Sequence, residues 1–354
     1  MAAFPDAAPR FLEPGDSDFG AETVVLASYP RSGNSLLRSL VEQLSGVVTG
    51  SDTAPDRPLS KALQACGVRG EGVTDGRVHV VKSHYPERVG CRKFKAHRAI
   101  LLVRNPYDVI DSYFNMTLTN SHNTTMADTQ YARFSETFAG LARAEAQVWL
   151  KFNRWWLRAP LPLLVVRYED LVLHRERTLR RIAWFLNGCE AIEGTRWEAG
   201  VLRLSEVDLA AAGPYAPRQN GAASNKAAGD GLRRFSDDVR RDVDRATETM
   251  LAEFGYDETR GFPSAIVAAP RALRTPVPRG DACHDVEEEE SRRALVLNAG
   301  LEVRDASSPF GRHMTTVRKQ LTEPVLSDDG RELNMHEVHE ARRVQLLNKP
   351  DLTN

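Results

Sequence analysis

The sequence predicts an α/β protein: a central parallel sheet flanked by helices, followed by a C-terminal extension. Three observations lead there. Four short β-branched or leucine-rich runs, Val24–Ala27, Val78–Val81, Ile100–Val103 and Leu163–Val166, have the length and composition of buried strands. Each ends at once in a polar or glycine-containing turn. Helical patterns lie after or between them, and strands alternating with helices call for a parallel sheet covered on both faces. In such sheets ligands bind beyond the carboxyl ends of the strands, so the informative residues are those just after each apolar run.

The elements follow in order. After the first run, Leu36, Leu37, Leu40, Val41 and Leu44 line one face of a helix. A long helix spans about Ser135 to Leu157, with Phe138, Leu141, Ala142, Val148, Trp149, Phe152 and Trp156 as its apolar positions. At that spacing the tryptophans belong to a core rather than to a ligand platform. Further helices cover roughly Arg175–Asn187 and Asp237–Phe254, the latter stopped by Gly255. Residues 1–20 are polar and rich in Pro and Gly, residues 21–264 form the expected domain, and residues 265–354 turn to alanine, proline and charge. That extension is read as an accessory or partly disordered element. It holds short apolar patches at Ala294–Leu297 and Val317–Leu321 and a solvated acidic run, Glu287–Glu290.

Composition narrows the class. The 354 residues are 42% hydrophobic, and the charges nearly cancel to a net −1. A nucleic-acid partner is therefore not expected, and a basic site would have to be local. Cys66, Cys91, Cys189 and Cys283 are too scattered for a disulfide framework and fit reduced thiols. No apolar run reaches membrane-spanning length, and the N-terminus lacks a signal-peptide core, so a cytoplasmic protein without a membrane partner is expected. The glycosylation triplets at Asn115 and Asn123 carry little weight in that setting. His336 and His339 are not spaced as H-E-x-x-H, and no metal is expected.

The stretch "SYPRSGNSLLR" joins the first strand to its helix. A strand, a tight loop and a helix N-terminus make an anion site, because backbone N–H groups point outward and the helix dipole favours negative charge. Gly33 allows close approach, Arg31 adds a cation, and Ser32, Asn34 and Ser35 can donate. The alternative is an ordinary turn with a capping serine. The loop is not G-x-x-x-x-G-K-[ST], and no G-x-G-x-x-G is present. The other strand ends add "VVKSHYP", with Lys82 and His84, then "RNPYDVIDSY", with Arg104 and Ser112, then "VVRYEDL", with Tyr168. In "RNPYDVIDSY" Pro106 and Asp108 suit a first helical turn. Later, "SNKAAGDGLRRFSDD" places Lys226 and Arg233 in a glycine-broken loop before a helix.

Taken together and in order, these five segments resemble the sulfotransferases that use 3′-phosphoadenosine 5′-phosphosulfate (PAPS), over roughly residues 22–260. "YPRSGNS" is similar to the 5′-phosphosulfate loop, "VKSHYP" to K-[TS]-H-x-P, "RNPYDVIDS" to the 3′-phosphate segment, "RYEDL" to an adenine-side strand end, and "NKAAGDGLRRF" to the late cofactor-covering loop. The resemblance implies a P-loop NTPase-like sulfotransferase fold. It also implies transfer of a sulfuryl group to an acceptor hydroxyl (small alcohol, phenol or carbohydrate), with adenosine 3′,5′-bisphosphate as product and no metal. It allows a homodimer.

On that resemblance His84 would be the general base, a role that suits a histidine near neutral pH. Arg31 would meet the 5′-phosphate and bridging oxygen, and Lys82 would touch the sulfate. Ser32, Gly33, Asn34 and Ser35 would cradle the phosphosulfate, and Arg104 and Ser112 would hold the 3′-phosphate. Tyr168 would lie near adenine, and Lys226 would cover the 3′-phosphate side. Two departures stand out. Leu36 occupies the place of a tryptophan common in small-molecule members, and Asn225 and Ala227 replace arginine and glycine, with Arg233 and Arg234 as substitute cations. A P-loop nucleotide kinase and a non-catalytic nucleotide-binding scaffold are the alternatives. Acceptor loops are expected at residues 50–75, 115–135 and 190–222, with Tyr131, Phe134, Trp197 and Tyr215 as their aromatic content.

Overall fold

The computed structural model describes residues 8–16, 22–53, 55, 58–65, 67–86, 92–119, 128–188, 191–207, 230–256 and 295–297. Five strands form one sheet in the order β2-β3-β1-β5-β6. They are β1 (Val24–Ser28), β2 (Gly50–Ser51), β3 (Val80–Ser83), β5 (Arg98–Val103) and β6 (Leu163–Arg167). Every pairing among them is parallel, so all five carboxyl ends open on the same rim. β1 is central, with β3 on one side and β5 on the other, which makes its carboxyl end the point where the chain order diverges.

The strands are apolar on both faces because helices cover both. Val25, Ala27, Val81, Leu101 and Val165 face α5 (Ser135–Leu157) and α9 (Asp237–Glu253), where Trp149, Phe152, Trp156, Leu251 and Phe254 close the layer. The alternate residues Val24, Leu26, Val80, Ile100, Leu102 and Val166 face α1 (Asn34–Ser45), α7 (Arg175–Asn187) and α8 (Arg196–Glu206). This is the period-two alternation of a strand with two dry faces. A third cluster joins α3 (Pro106–Thr119), α4 (Asp128–Arg133) and α5 to the 3₁₀ turn Asp230–Arg234 through Tyr107, Phe114, Phe138 and Phe235. The remaining elements are α2 (Pro58–Ala65), β4 (Phe94–Ala96), α6 (Tyr168–Leu173) and β7 (Leu295–Leu297).

The helices α5 and α7 run as the periodicity predicts. The second predicted strand does not. β3 begins at Val80 and runs through Ser83, two residues later than expected. The N–H of Val78 is taken by Asp75 in a turn, and the register then pairs Val80 with Val24 and Lys82 with Leu26. Lys82 therefore lies inside the strand and only His84 lies beyond it. The Ala294–Leu297 patch also has a structural place. Residues 295–297 pair antiparallel with β4, and Leu297 is buried in the same cluster as Phe94 and Ala96. A short piece of the extension is thus part of the fold.

A buried ion pair ties α1 to the loop ahead of β3. Arg38 on α1 donates to Glu71, and also to the Thr49 hydroxyl at 2.9 Å and the Thr49 carbonyl at 3.0 Å. Burial pushes the Glu71 carboxyl up, but the charges of Arg38 and Lys82, with hydrogen bonds from Arg38 and Ser60, outweigh it and hold the pKa below the ordinary glutamate value. A depressed acid contributes stability that is complete above the unfolded-state pKa and is lost as pH falls through the folded one. Glu71→Gln, which strands the Arg38 charge, is expected to cost about 3–5 kcal/mol near neutral pH. Denaturant titrations of both proteins check this: the gap between them closes as the solution is taken into the acid range below the glutamate pKa.

Candidate active site

The loop after β1 departs from an ordinary turn. Arg31 sits at φ 72° and Gly33 at φ 96°. Arg31 is the sole non-glycine residue at positive φ among the described residues, and such strain persists only where surroundings enforce it. Here they do. Arg104 Nη1 donates to the Arg31 carbonyl at 3.2 Å, and Arg31 Nε donates to Ser112 Oγ at 3.1 Å. The Arg104 guanidinium lies 4.3 Å from the centre of the Tyr168 ring. Four residues from three different strand ends, Arg31, Arg104, Ser112 and Tyr168, thus form one connected group.

Gly33 is the N-cap of α1 and no side chain caps that helix, so the capping-serine reading fails. The Ser32 hydroxyl is instead buried with no hydrogen-bond partner among the described residues, as is Asn34 Oδ1. The Asn34 amide donates to Ser28 Oγ at 2.7 Å. The N–H of Ser32 is spent within the turn, on the Tyr29 carbonyl at 3.2 Å, and the N–H of Leu37 begins the helical ladder on the Gly33 carbonyl. The helical N–H groups before Leu37 have no intrahelical partner, by the geometry of any helix start. Glycine is required at position 33: a Cβ built there would lie 2.3 Å from Tyr168 Cδ2. Gly33→Ala is expected to lose about 1–3 kcal/mol from the positive φ alone. It should also push the Tyr168 ring away from the loop, which thermal unfolding and the near-ultraviolet tyrosine signal would report together.

His84 stands immediately beyond β3, 8% exposed, with Nδ1 2.6 Å from the Ser28 carbonyl. A carbonyl only accepts, so Nδ1 carries a proton, and in the neutral ring the lone pair is then on Nε2. Lys82 extends to the Thr53 hydroxyl at 3.1 Å. Hydrogen bonds link His84 and Asn34 to the same residue, Ser28, so the histidine belongs to the same rim as the loop.

Burial opposes the charge of Arg104, yet the Tyr168 hydroxyl, Asp108 and Glu169 beside it raise its pKa above the ordinary arginine value. Its Nε has no hydrogen-bond partner. Burial likewise raises the Glu169 carboxyl, against the pull of the Asn105 N–H, the Tyr256 hydroxyl and Arg104.

Several expectations need correction. Asp108 does sit in the first turn of α3, but its carboxylate accepts the Gly231 N–H at 2.9 Å and so anchors the 3₁₀ turn. Arg234 pairs with Asp128 at 2.6 Å and stacks on Tyr131, while Arg233 lies 3.5 Å from Asp128 in an exposed pair. Tyr131 and Trp197 are buried in the hydrophobic clusters, which removes them from the acceptor loops. Lys226 and Tyr215 lie outside the described residues, as do His336 and His339. Leu36, at the position where a tryptophan is common in the family, and Tyr168 are each partly buried against the cluster that includes α1. Among the described residues no group of three or more His, Cys, Asp or Glu could hold a metal ion, and no helix is long and apolar enough to cross a membrane.

A supporting layer escaped the sequence. Trp149 Nε1 donates to the Arg104 carbonyl at 3.2 Å, and Trp156 Nε1 to the Tyr85 carbonyl at 2.8 Å. Glu145, fully buried, accepts from the Tyr29 hydroxyl, and Glu169 accepts the Asn105 N–H at 3.0 Å. The one available signal was Glu145 itself, a carboxylate four residues before Trp149 on an otherwise apolar helix stripe.

Comparison with known proteins gives the following similarities. The family model described as a sulfotransferase domain matches residues 21–195. A WSCD family member of Aedes aegypti is 33% identical over 174 residues, 48% of this chain and 52% of that protein. A Drosophila melanogaster WSCD family member is 35% identical over 46% of this chain and 49% of its own length. Sulfotransferase 1B1 of Mus musculus is 27% identical over 46% and 58%. The chain thus spans about half the length of the curated relatives it matches. Among solved structures, mouse sulfotransferase SULT7A1 complexed with PAP superposes with a TM-score of 0.41 at 16% identity, covering 66% of this chain and 85% of that one. Residues 21–195, which hold the strained loop, His84, Arg104, Ser112 and Tyr168, are the part of the chain that matches a sulfotransferase domain.

Proposed function

We propose that this protein transfers a sulfuryl group from PAPS to an acceptor hydroxyl, that of a small alcohol, a phenol or a carbohydrate. The observation that carries the reading is the connected group Arg31–Ser112–Arg104–Tyr168 beside a loop whose buried Ser32 hydroxyl and Asn34 oxygen have no hydrogen-bond partner among the described residues. Unpaired buried polar atoms are costly, and a bound polyanion meeting Arg31, Arg104 and the α1 N-terminus gives the hydroxyl an acceptor. A nucleotide with phosphates at both ribose ends fits a site that has one cation group at β1 and another at β5.

In this reading His84 Nε2 accepts the acceptor's hydroxyl proton as the new oxygen–sulfur bond forms. The bond from sulfur to the phosphate oxygen breaks, and the electron pair leaves with adenosine 3′,5′-bisphosphate. Arg31 and the loop N–H groups meet the charge that develops there, and Lys82 meets the sulfate oxygens. Arginine stays protonated near neutral pH, so Arg31 acts by charge and geometry alone.

The test mixes the full chain with PAPS and a panel of alcohols, phenols and sugars and follows release of the bisphosphate. Acceptor-dependent release supports the proposal. Magnesium-dependent ATP turnover with no response to PAPS would replace it with a kinase, and tight bisphosphate binding without transfer to any acceptor would leave a binding protein.

A further inference from the structure

β2 is followed by two polar residues, Asp52 and Thr53, that belong to none of the five motifs. Both are buried, Asp52 at 1% exposure. Asp52 meets the segment that carries His84 on both sides of the histidine. Its N–H donates to the Lys82 carbonyl at 3.1 Å, and its carbonyl accepts the Arg92 N–H at 2.7 Å. Its carboxylate accepts the Ser83 hydroxyl at 2.7 Å. An ionised carboxylate only accepts, so that bond turns the Ser83 hydrogen toward Asp52 and leaves the oxygen's lone pairs for the Tyr85 N–H, 2.9 Å away. Ser83 and Tyr85 flank His84. The chain of contacts Asp52–Ser83–Tyr85 therefore brackets its backbone, while Trp156 holds the Tyr85 carbonyl from the opposite layer. Alongside, the Thr53 hydroxyl accepts from Lys82.

The bracket meets a specific need. Ser83 is the last residue of β3 in register with β1, so the sheet no longer fixes the backbone at His84. A proton-transfer group is effective only when held within a fraction of an ångström of its working position. A hydrogen bond to a charged acceptor is about twice as strong as a neutral one, which suits a carboxylate to the task. We infer that Asp52 is a positioning residue for His84, acting through the Ser83 hydroxyl, and that Thr53 positions Lys82 in the same way. The kinetic consequence rests on the sulfuryl-transfer reading; the structural consequence does not.

The experiment uses the full chain with Ser83→Ala, Ser83→Thr, Asp52→Ala and Asp52→Asn. Ser83→Ala removes one oxygen and breaks the bracket with little change in volume. Ser83→Thr and Asp52→Asn keep a hydroxyl and an accepting oxygen. In ¹⁵N-histidine spectra, with the His84 signals assigned by His84→Gln, the wild type is expected to show the Nδ1–H tautomer. Ser83→Ala and Asp52→Ala are expected to shift His84 toward a tautomer mixture, and Ser83→Thr and Asp52→Asn to restore it. In the transfer assay Ser83→Ala should lower kcat roughly tenfold to a hundredfold, the range for outer partners of a working histidine. KM for PAPS and the affinity for adenosine 3′,5′-bisphosphate should stay within about threefold, since neither Ser83 nor Asp52 belongs to the anion-binding group. Threonine restoring kcat confirms a positioning role. If Asp52→Ala fails to fold, the Ser83 pair decides. An unchanged His84 spectrum together with unchanged kcat in Ser83→Ala overturns the inference. A spectrum that responds in a protein that transfers no sulfate upholds the bracket and leaves the transfer reading as the one that fails.

Discussion

His84→Ala is expected to lower the rate of sulfuryl transfer roughly 10²–10⁴-fold, the contribution of a positioned general base, while adenosine 3′,5′-bisphosphate binds as in the wild type. The two halves of that expectation come from different parts of the rim. The imidazole is fixed through Nδ1 on the Ser28 carbonyl, and in the proposed reaction Nε2 takes the proton, so its removal deletes the proposed proton acceptor along with that hydrogen bond to the backbone. The anion-binding group is held by other contacts: Arg104 on the Arg31 carbonyl, Arg31 on Ser112, Asn34 on Ser28 Oγ. None of these passes through His84. Calorimetry with the bisphosphate and turnover with PAPS therefore separate the roles. A variant that loses both together would show that the Ser28 contact supports the loop, and a variant that retains full turnover would remove His84 from the chemistry.

How much of this could be read from residues alone depends on the distance over which the cause acts. The strand ends and the helices α5 and α7 were legible because apolar periodicity is a local property. The grouping of Arg31, Arg104, Ser112 and Tyr168 was legible because parallel topology delivers every strand end to one rim. The start of β3 was not: nothing within Val78-His79-Val80-Val81 marks where pairing begins, and only pairing with β1 and the Asp75 turn set the register. The committed state of Arg234 was hidden for a similar reason. Its partners Asp111, Asp128 and Tyr131 lie more than a hundred residues earlier, and their meeting depends on how the 3₁₀ turn docks on α3. The tail strand pairs across two hundred residues, and nothing in "ALVL" names Phe94–Ala96 as its partner. Arg31 illustrates the limit most clearly. Its identity marked the loop, but its left-handed backbone and its bond to Ser112 exist only in the folded assembly.

Arg104→Ala is expected to weaken binding of adenosine 3′,5′-bisphosphate about a hundredfold or more, in line with truncating a buried charge that meets an opposite one. Arg104 has two tasks. Through Nη1 it supports the strained Arg31 carbonyl, and on the proposed reading its guanidinium, stacked on Tyr168, also offers a partly buried cation to the nucleotide. The two can be told apart with adenosine 5′-phosphate, which has no 3′-phosphate. If Arg104 meets that group, alanine costs the bisphosphate about a hundredfold and the monophosphate less than about tenfold, so that the two nucleotides come to bind nearly alike. If Arg104 only braces the loop, both affinities fall by the same factor. Arg104→Lys should not restore the difference: an ammonium can neither stack on the Tyr168 ring nor present two parallel donors. Ser112→Ala, which removes one hydroxyl from the same anion group, should cost the bisphosphate roughly tenfold and the monophosphate little. Equal affinities of wild type and Arg104→Ala for both nucleotides would place the 3′-phosphate elsewhere and separate this rim from the proposed chemistry.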